Sequence, residues 1–194
     1  MTSEVSICNL ALTKIGEEQI LSLTEDTKAG RLCNLHYAHM RDTVLRSHYW
    51  NFAIKRVALA ASTTAPVYEY TTAFPLPSDF IRILDTNLLR GADWKIEANE
   101  LVTDDDAVSI RYVARITDTN QFDPLFVEAL AARIGAELAQ PLADSVTLTD
   151  AMFQLFERKI REARGADAQE GEPDGMDADI WLDSRLAYTS PFNA

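Results

Sequence analysis

The stretch Asp123-Pro-Leu-Phe-Val-Glu-Ala-Leu-Ala-Ala-Arg-Ile-Gly-Ala-Glu-Leu-Ala-Gln-Pro141 decides how this chain is read. Asp123 is an N-cap residue, and Pro124 stands at the first helical position, where its missing N–H costs nothing. Phe126 or Val127, Leu130, Ile134 and Leu138 follow at spacings of three and four, the core face of a helix. Pro141 is expected to end it. The segment matters because of what precedes it. Helix gives way to strand earlier in the chain, and here helix returns.

Upstream, Arg56-Val-Ala-Leu-Ala60, Ile81-Arg-Ile-Leu84, Trp94-Lys-Ile-Glu97, Glu100-Leu-Val-Thr103 and Val108-Ser-Ile-Arg-Tyr-Val113 read as strands. Asn99 and Asp104 to Asp106 fit turns between them. Pro66, Pro75 and Pro77 make helix improbable in residues 61–80. The expectation is one small antiparallel sheet. Further upstream, Ser3 caps a first helix whose stripe is Val5, Cys8, Leu12 and Ile15, with Gly16 as its stop. Thr24 is expected to start a second helix, with Glu25 and Asp26 in its first turn. Its stripe is Ala29, Cys33, His36 or Tyr37, Met40 and Val44, and it is expected to run close to Trp50. Downstream, a fourth helix is expected from Thr147 or Thr149, with Met152, Leu155 or Phe156, and Ile160 inward, and Gly165 at its end.

The reading is therefore α+β and mainly α: a four-helix bundle with a small antiparallel β subdomain inserted between helices 2 and 3, and an extended C-terminal arm. Its expected parts are an N-terminal helical pair (1–55), the β-rich insert (56–120), a second helical pair (121–166) and the arm (167–194).

The arm has its own character. Seven carboxylates and Arg185 give residues 167–194 a charge of −6, half of the chain's −12. Such a segment, broken by Gly and Pro, cannot bury enough surface to fold alone. It nevertheless carries Ile180, Trp181, Leu182, Leu186, Tyr188 and Phe192. Apolar anchors in an acidic arm fit a segment that orders on a partner, and equally one that folds back on its own domain.

An apolar content of 47% supports a real core. The acidic balance argues against wrapping DNA or binding an anionic membrane, since both need clustered Lys and Arg. Cys8 and Cys33 both fall in apolar helical stripes, as buried free thiols do. The first residues lack the basic and apolar regions of a signal peptide, and no run reaches membrane-spanning length. The expectation is a chain kept in a reducing, soluble compartment.

Chemistry is sparse. No two of the seven glycines are separated by a single residue, so there is no Gly-x-Gly phosphate loop. Gly171 and Gly175 have the outer spacing of a nucleophile elbow, but Pro173 stands where the serine belongs. Cys33, His36 and His39 are the best metal candidates. Each step of three residues turns a ligand by about 60° around a helix, so only neighbouring pairs can share an ion. Asp104 to Asp106, and Asp174, Asp177 and Asp179, lack a calcium-loop pattern and read as solvated charge. On helix four, Arg158, Arg161 and Arg164 form a charged face that can meet an acidic neighbour.

Several segments taken together carry a resemblance. They are Ile7-Cys-Asn-Leu-Ala-Leu-Thr-Lys-Ile-Gly16; Tyr37 to Arg56, with Arg41-Asp42, Val44-Leu45 and Trp50-Asn-Phe-Ala53; and Phe74-Pro-Leu-Pro-Ser-Asp-Phe80 leading into Ile81-Arg-Ile-Leu84. Tyr112-Val113, Phe122-Asp-Pro-Leu-Phe126, Glu128-Ala-Leu-Ala131, Glu137-Leu-Ala139 and Asp183-Ser-Arg-Leu186 complete the set. In this order they resemble the tail tubular protein A, or head-to-tail adaptor, family of short-tailed bacteriophages. The resemblance covers nearly the whole chain. It implies a non-enzymatic virion protein without cofactor or metal. Such a protein forms a dodecameric ring with neighbouring copies of itself, joining the portal protein to the tail nozzle or tail tubular protein B. Double-stranded DNA passes through the lumen without specific binding, and no membrane is involved. The partner-binding arm would be Asp177, Asp179, Ile180, Trp181, Leu182, Asp183, Arg185, Leu186 and Tyr188; Arg158, Arg161 and Arg164 are a candidate interface by their charge alone, which a solvated surface explains as well. Two alternatives stand beside it: a soluble metal-dependent hydrolase using the Cys33, His36 and His39 face, and a cellular protein-recruiting adaptor with an acidic arm.

Overall fold

The computed structural model of the chain describes residues 2–89 and 92–170. The order is α1 (Glu4–Ile15), α2 (Lys28–Arg46), β1 (Ile54–Leu59), β2 (Thr72–Pro75), β3 (Phe80–Thr86), β4 (Trp94–Glu97), β5 (Glu100–Thr103), β6 (Val108–Ala114), α3 (Pro124–Ala143) and α4 (Val146–Asp167). The fold is thus α+β and mainly α, with the strands inserted between α2 and α3. The expected arm from Gly171 onward lies outside the described residues, including all nine expected anchors from Asp177 to Tyr188.

Helix α3 is the hub, and it packs against α1, α2 and α4. Its sequence explains that role. Phe126, Leu130, Ile134 and Leu138 are fully buried, and Ala129, Ala131, Ala132, Ala136 and Ala139 are buried between them. Small residues on several faces let three helices approach one. Asp123 caps it as expected, accepting from the backbone N–H groups of Leu125 (2.7 Å) and Phe126 (3.2 Å). Pro141 does not end it. The helix runs to Ala143, where Asp144 takes a left-handed φ of 48° and closes the end. Proline in the last turn removes one intrahelical hydrogen bond, a loss the packed helix tolerates.

Helix α1 matches its expected limits: Ser3 and Ser6 form a reciprocal capping box, and Gly16 has φ 80°. Helix α2 starts later than expected. Thr24 pairs with the Ser22 hydroxyl, and Thr27 is the cap, accepting from Gly30 N–H at 3.0 Å. It also ends earlier, at Arg46, so Trp50 lies in the turn that leads to β1. Helix α4 is capped by Ser145 rather than started at Thr147 or Thr149. It passes through Gly165 to Asp167, because tertiary bonds hold its last turn.

The insert is two three-stranded antiparallel sheets, not one. The first has the order β1-β6-β3 and the second β2-β5-β4. Strand β2 is the element the prolines hid. Pro75 sits at the last position of this edge strand, where no ladder N–H is needed. Ala98 (φ 46°) and Asn99 (φ 67°) form the tight turn joining β4 to β5, the primed geometry that suits hairpins. Helices and sheets share one continuous core, from Leu12 and Leu45 through Trp50 to Phe74 and Val113.

Candidate interaction surfaces

Segments far apart in the chain form two neighbouring sets of contacts, one aromatic and one polar, within the shared core of helices and sheets. Trp50 is fully buried and donates its indole N–H to Val44 O at 3.0 Å. Its ring lies edge-on to Phe126 at 5.1 Å and stacks on Phe52 at 6.1 Å, and Phe52 and Phe126 both meet Phe122. Aromatic clusters of this kind add pairwise attraction to their buried area. Trp50 and Phe74 are therefore core, and the partly buried Phe52 packs against it.

The second set is polar. Asp42 accepts from Arg41 (2.9 Å) and from Arg115 Nε (2.8 Å), linking α2 to the segment after β6. Asp79, in the Pro77-Ser-Asp-Phe80 turn, accepts from Lys55 (2.7 Å) and from the Tyr112 hydroxyl (3.0 Å). Phe80 stacks on Tyr112 at 5.9 Å. Partial burial works against ionisation of Asp79, but Lys55 and the Tyr112 hydroxyl outweigh it and hold the carboxyl below its usual range. Burial, and then the facing Asp79, push the Tyr112 phenol up to about 12. The Pro-rich turn is thus a rigid clamp of the sheet on the helices.

The three candidate arginines of α4 separate. Arg158 and Arg161 are exposed and line a shallow groove of about 550 Å³ with Phe153, Gln154 and Glu157. Arg161 Nε donates to Glu157 O at 2.9 Å. The Arg133 guanidinium lies over the Phe153 ring at 4.7 Å, holding a partly exposed aromatic beside them. Arg164 points elsewhere. Its Nη2 donates to Ser47 O at 3.0 Å and its Nε is buried, so it is a tie within the body and not part of a surface face.

That tie belongs to a latch that sequence reading missed. Asp167, assigned to the arm, is the last residue of α4 and is half-buried. Its carboxylate faces His48 Nε2 at 3.1 Å and accepts from Asn51 N at 3.0 Å. Its carbonyl accepts from Asn51 Nδ2 at 2.7 Å. The only signal for it was Asp at a helix end and His and Asn in a distant turn, which sequence spacing cannot connect. His48 and Asp167 pair as a histidine and a carboxylate can in a catalytic dyad, but among the described residues no serine or cysteine side chain is hydrogen-bonded to either.

The metal candidates do not converge. Cys33 is buried in the core beside Cys8, whose thiol that contact and burial push up; His36 is half-buried and His39 exposed. Among the described residues no group of three or more His, Cys, Asp or Glu is arranged to hold a metal ion. A concavity of about 580 Å³ lies over β1, β3 and β6 between Arg56, Asp85, Asn87 and Arg111. At its edge Ser109 N donates to Asn87 Oδ1 at 2.7 Å. No helix among the described residues is long and apolar enough to cross a membrane. No protein-family model matches the chain, and no curated protein matches it.

Proposed function

We propose that this protein is a structural head-to-tail adaptor of a short-tailed phage virion. It forms a ring between portal and tail nozzle around the DNA path. One observation carries the reading. Four segments that resemble the adaptor family contribute to one core: Trp50-Asn-Phe-Ala53 packs on Phe122 to Phe126, and the Pro75-to-Phe80 turn packs on Tyr112-Val113. Such a core fixes a β insert rigidly on a helical body, which a ring subunit needs in order to present two faces at a set angle.

The surfaces fit this role. The α4 groove offers two guanidiniums beside an aromatic, the residue types enriched at the energetic centres of interfaces. Val67 and Tyr68 stand fully or largely exposed in the β1–β2 loop, and Val146 at the start of α4. An acidic body repels the DNA backbone and lets it slide. The arm adds area per subunit on a neighbour or on the portal, and repeated weak contacts sum around a closed ring.

The test is the mass of the purified protein, alone and mixed with its cognate portal. The expected result is a complex with about twelve copies per portal ring. A chain that stays monomeric at every portal concentration overturns the reading.

A further inference from the structure

We propose that in the free protein the segment Asp179-Ile-Trp-Leu-Asp183 of this same chain docks into the groove between the end of α2 and strands β3 and β4. This concerns the unassembled chain and stands independently of the adaptor reading.

The groove has a volume of about 540 Å³ and is lined by Arg46, Tyr49, Phe80, Arg82, Ile83 and Ile96. That is enough for an indole and a neighbouring aliphatic side chain. Its floor is apolar and incompletely covered: Tyr49, Phe80 and Ile83 are half-buried, and Ile96 is 38% exposed. Its rim is cationic. Arg82 lies over the Tyr49 ring at 4.3 Å and donates to Arg46 O at 3.4 Å, while Arg46 donates to Ile81 O. Both guanidiniums are held by backbone carbonyls and a ring face, and among the described residues neither meets a carboxylate.

The segment has the complementary pattern. Ile180, Trp181 and Leu182 form an apolar triplet bracketed by Asp179 and Asp183. An apolar centre with a carboxylate at each end suits an apolar floor with two guanidiniums at its rim. The other basic groove, on α4, is less suited because Glu157 lines it.

Position favours the same chain as donor. Arg164 and Asp167 tie the end of α4 to Ser47, His48 and Asn51, and the groove residues Arg46, at the end of α2, and Tyr49 adjoin these in sequence. Asp167, three residues before the last described residue, is thus bonded to the segment that supplies Tyr49 to the groove. Residues 171–178 span at most about 28 Å when extended. Gly171, Pro173 and Gly175 within them favour a reversal. Docked in this way, the arm is withheld from partners until something displaces it.

The test uses the full chain and trypsin. Arg185 is the only Lys or Arg after Arg164, so cleavage there reads the state of the arm. Cleavage at Arg185 is expected to be about tenfold slower in the wild-type protein than in Arg46→Glu/Arg82→Glu or in Trp181→Ala. The protection is expected to be the same across about a hundredfold range of protein concentration. Trp181→Ala leaves the groove untouched, and so decides the matter if the double arginine variant fails to fold. Equal cleavage rates in wild type and Trp181→Ala overturn the proposal. Protection that grows with concentration also overturns it, and assigns the groove to a second copy.

Discussion

Two glycines in helices have opposite expected responses to alanine. At Gly30, in the first turn of α2, a Cβ would sit 2.6 Å from the Glu25 backbone oxygen, so backbone must move. Gly30→Ala is expected to destabilise the protein by about 1–3 kcal/mol. At Gly165 a Cβ meets nothing within 4 Å, and the residue is helical. Gly165→Ala is expected to raise stability by about 0.5–1 kcal/mol, since alanine loses less entropy on becoming helical. Thermal denaturation of the pair separates the two cases. Tyr112 offers a pH test. Its phenol titrates near 10 when unfolded and is raised to about 12 in the fold, so its contribution is complete below pH 10 and is lost as pH rises towards 12. Tyr37, raised mainly by burial, acts in the same direction. Asp79 has the opposite sign: its depressed pKa gives stability above about pH 4 that is lost on acidification. Tyr112→Phe should therefore cost about 1 kcal/mol at neutral pH and reduce, without abolishing, the alkaline decline of denaturant stability.

At the scale of elements, α4 shows where sequence reading succeeds and where it stops. Met152 and Ile160 were legible as its buried stripe, because spacing of three and four reports one face directly. Its end was not. Glycine at 165 reads as a stop, but Asp167 is held by His48 and Asn51, partners more than a hundred residues away. The start of α2 failed for a related reason: Thr24 and Thr27 are equally good caps by composition, and the Ser22–Thr24 pair decides between them. The division of the strands into two sheets was also hidden, since alternation gives faces but not partners. Cys33, His36 and His39 part along α2, buried, half-buried and exposed in turn, as steps of three residues around a helix dictate. Asp167→Ala is expected to cost about 2 kcal/mol and to speed amide hydrogen exchange in the last turn of α4, while exchange in the α3-facing middle is unchanged. Equal protection along α4 in the variant would mean that the helix end holds without the latch.

For the molecule as a whole, the latch fixes how the arm should be removed. Truncation at 167 also deletes a tie of the body, so a clean removal begins at Gly171. A chain ending at Glu170 is expected to keep the thermal stability of the full protein and to lose assembly on portal, measured by mass and by sedimentation. Normal ring formation by that chain would assign assembly to the α4 groove and the loops instead. The same anchorage has a mechanical consequence. Tension applied to the arm reaches Asp167 first, and there it divides between the helix backbone and the bonds to the α2–β1 turn. Helix α4 therefore cannot be peeled turn by turn from its free end. The pull is handed across to the turn between α2 and β1, and through the buried Trp50 to Val44 and Phe126 in the core. A load that reaches Asp167 is therefore shared by the bundle and the turn that leads into the sheets.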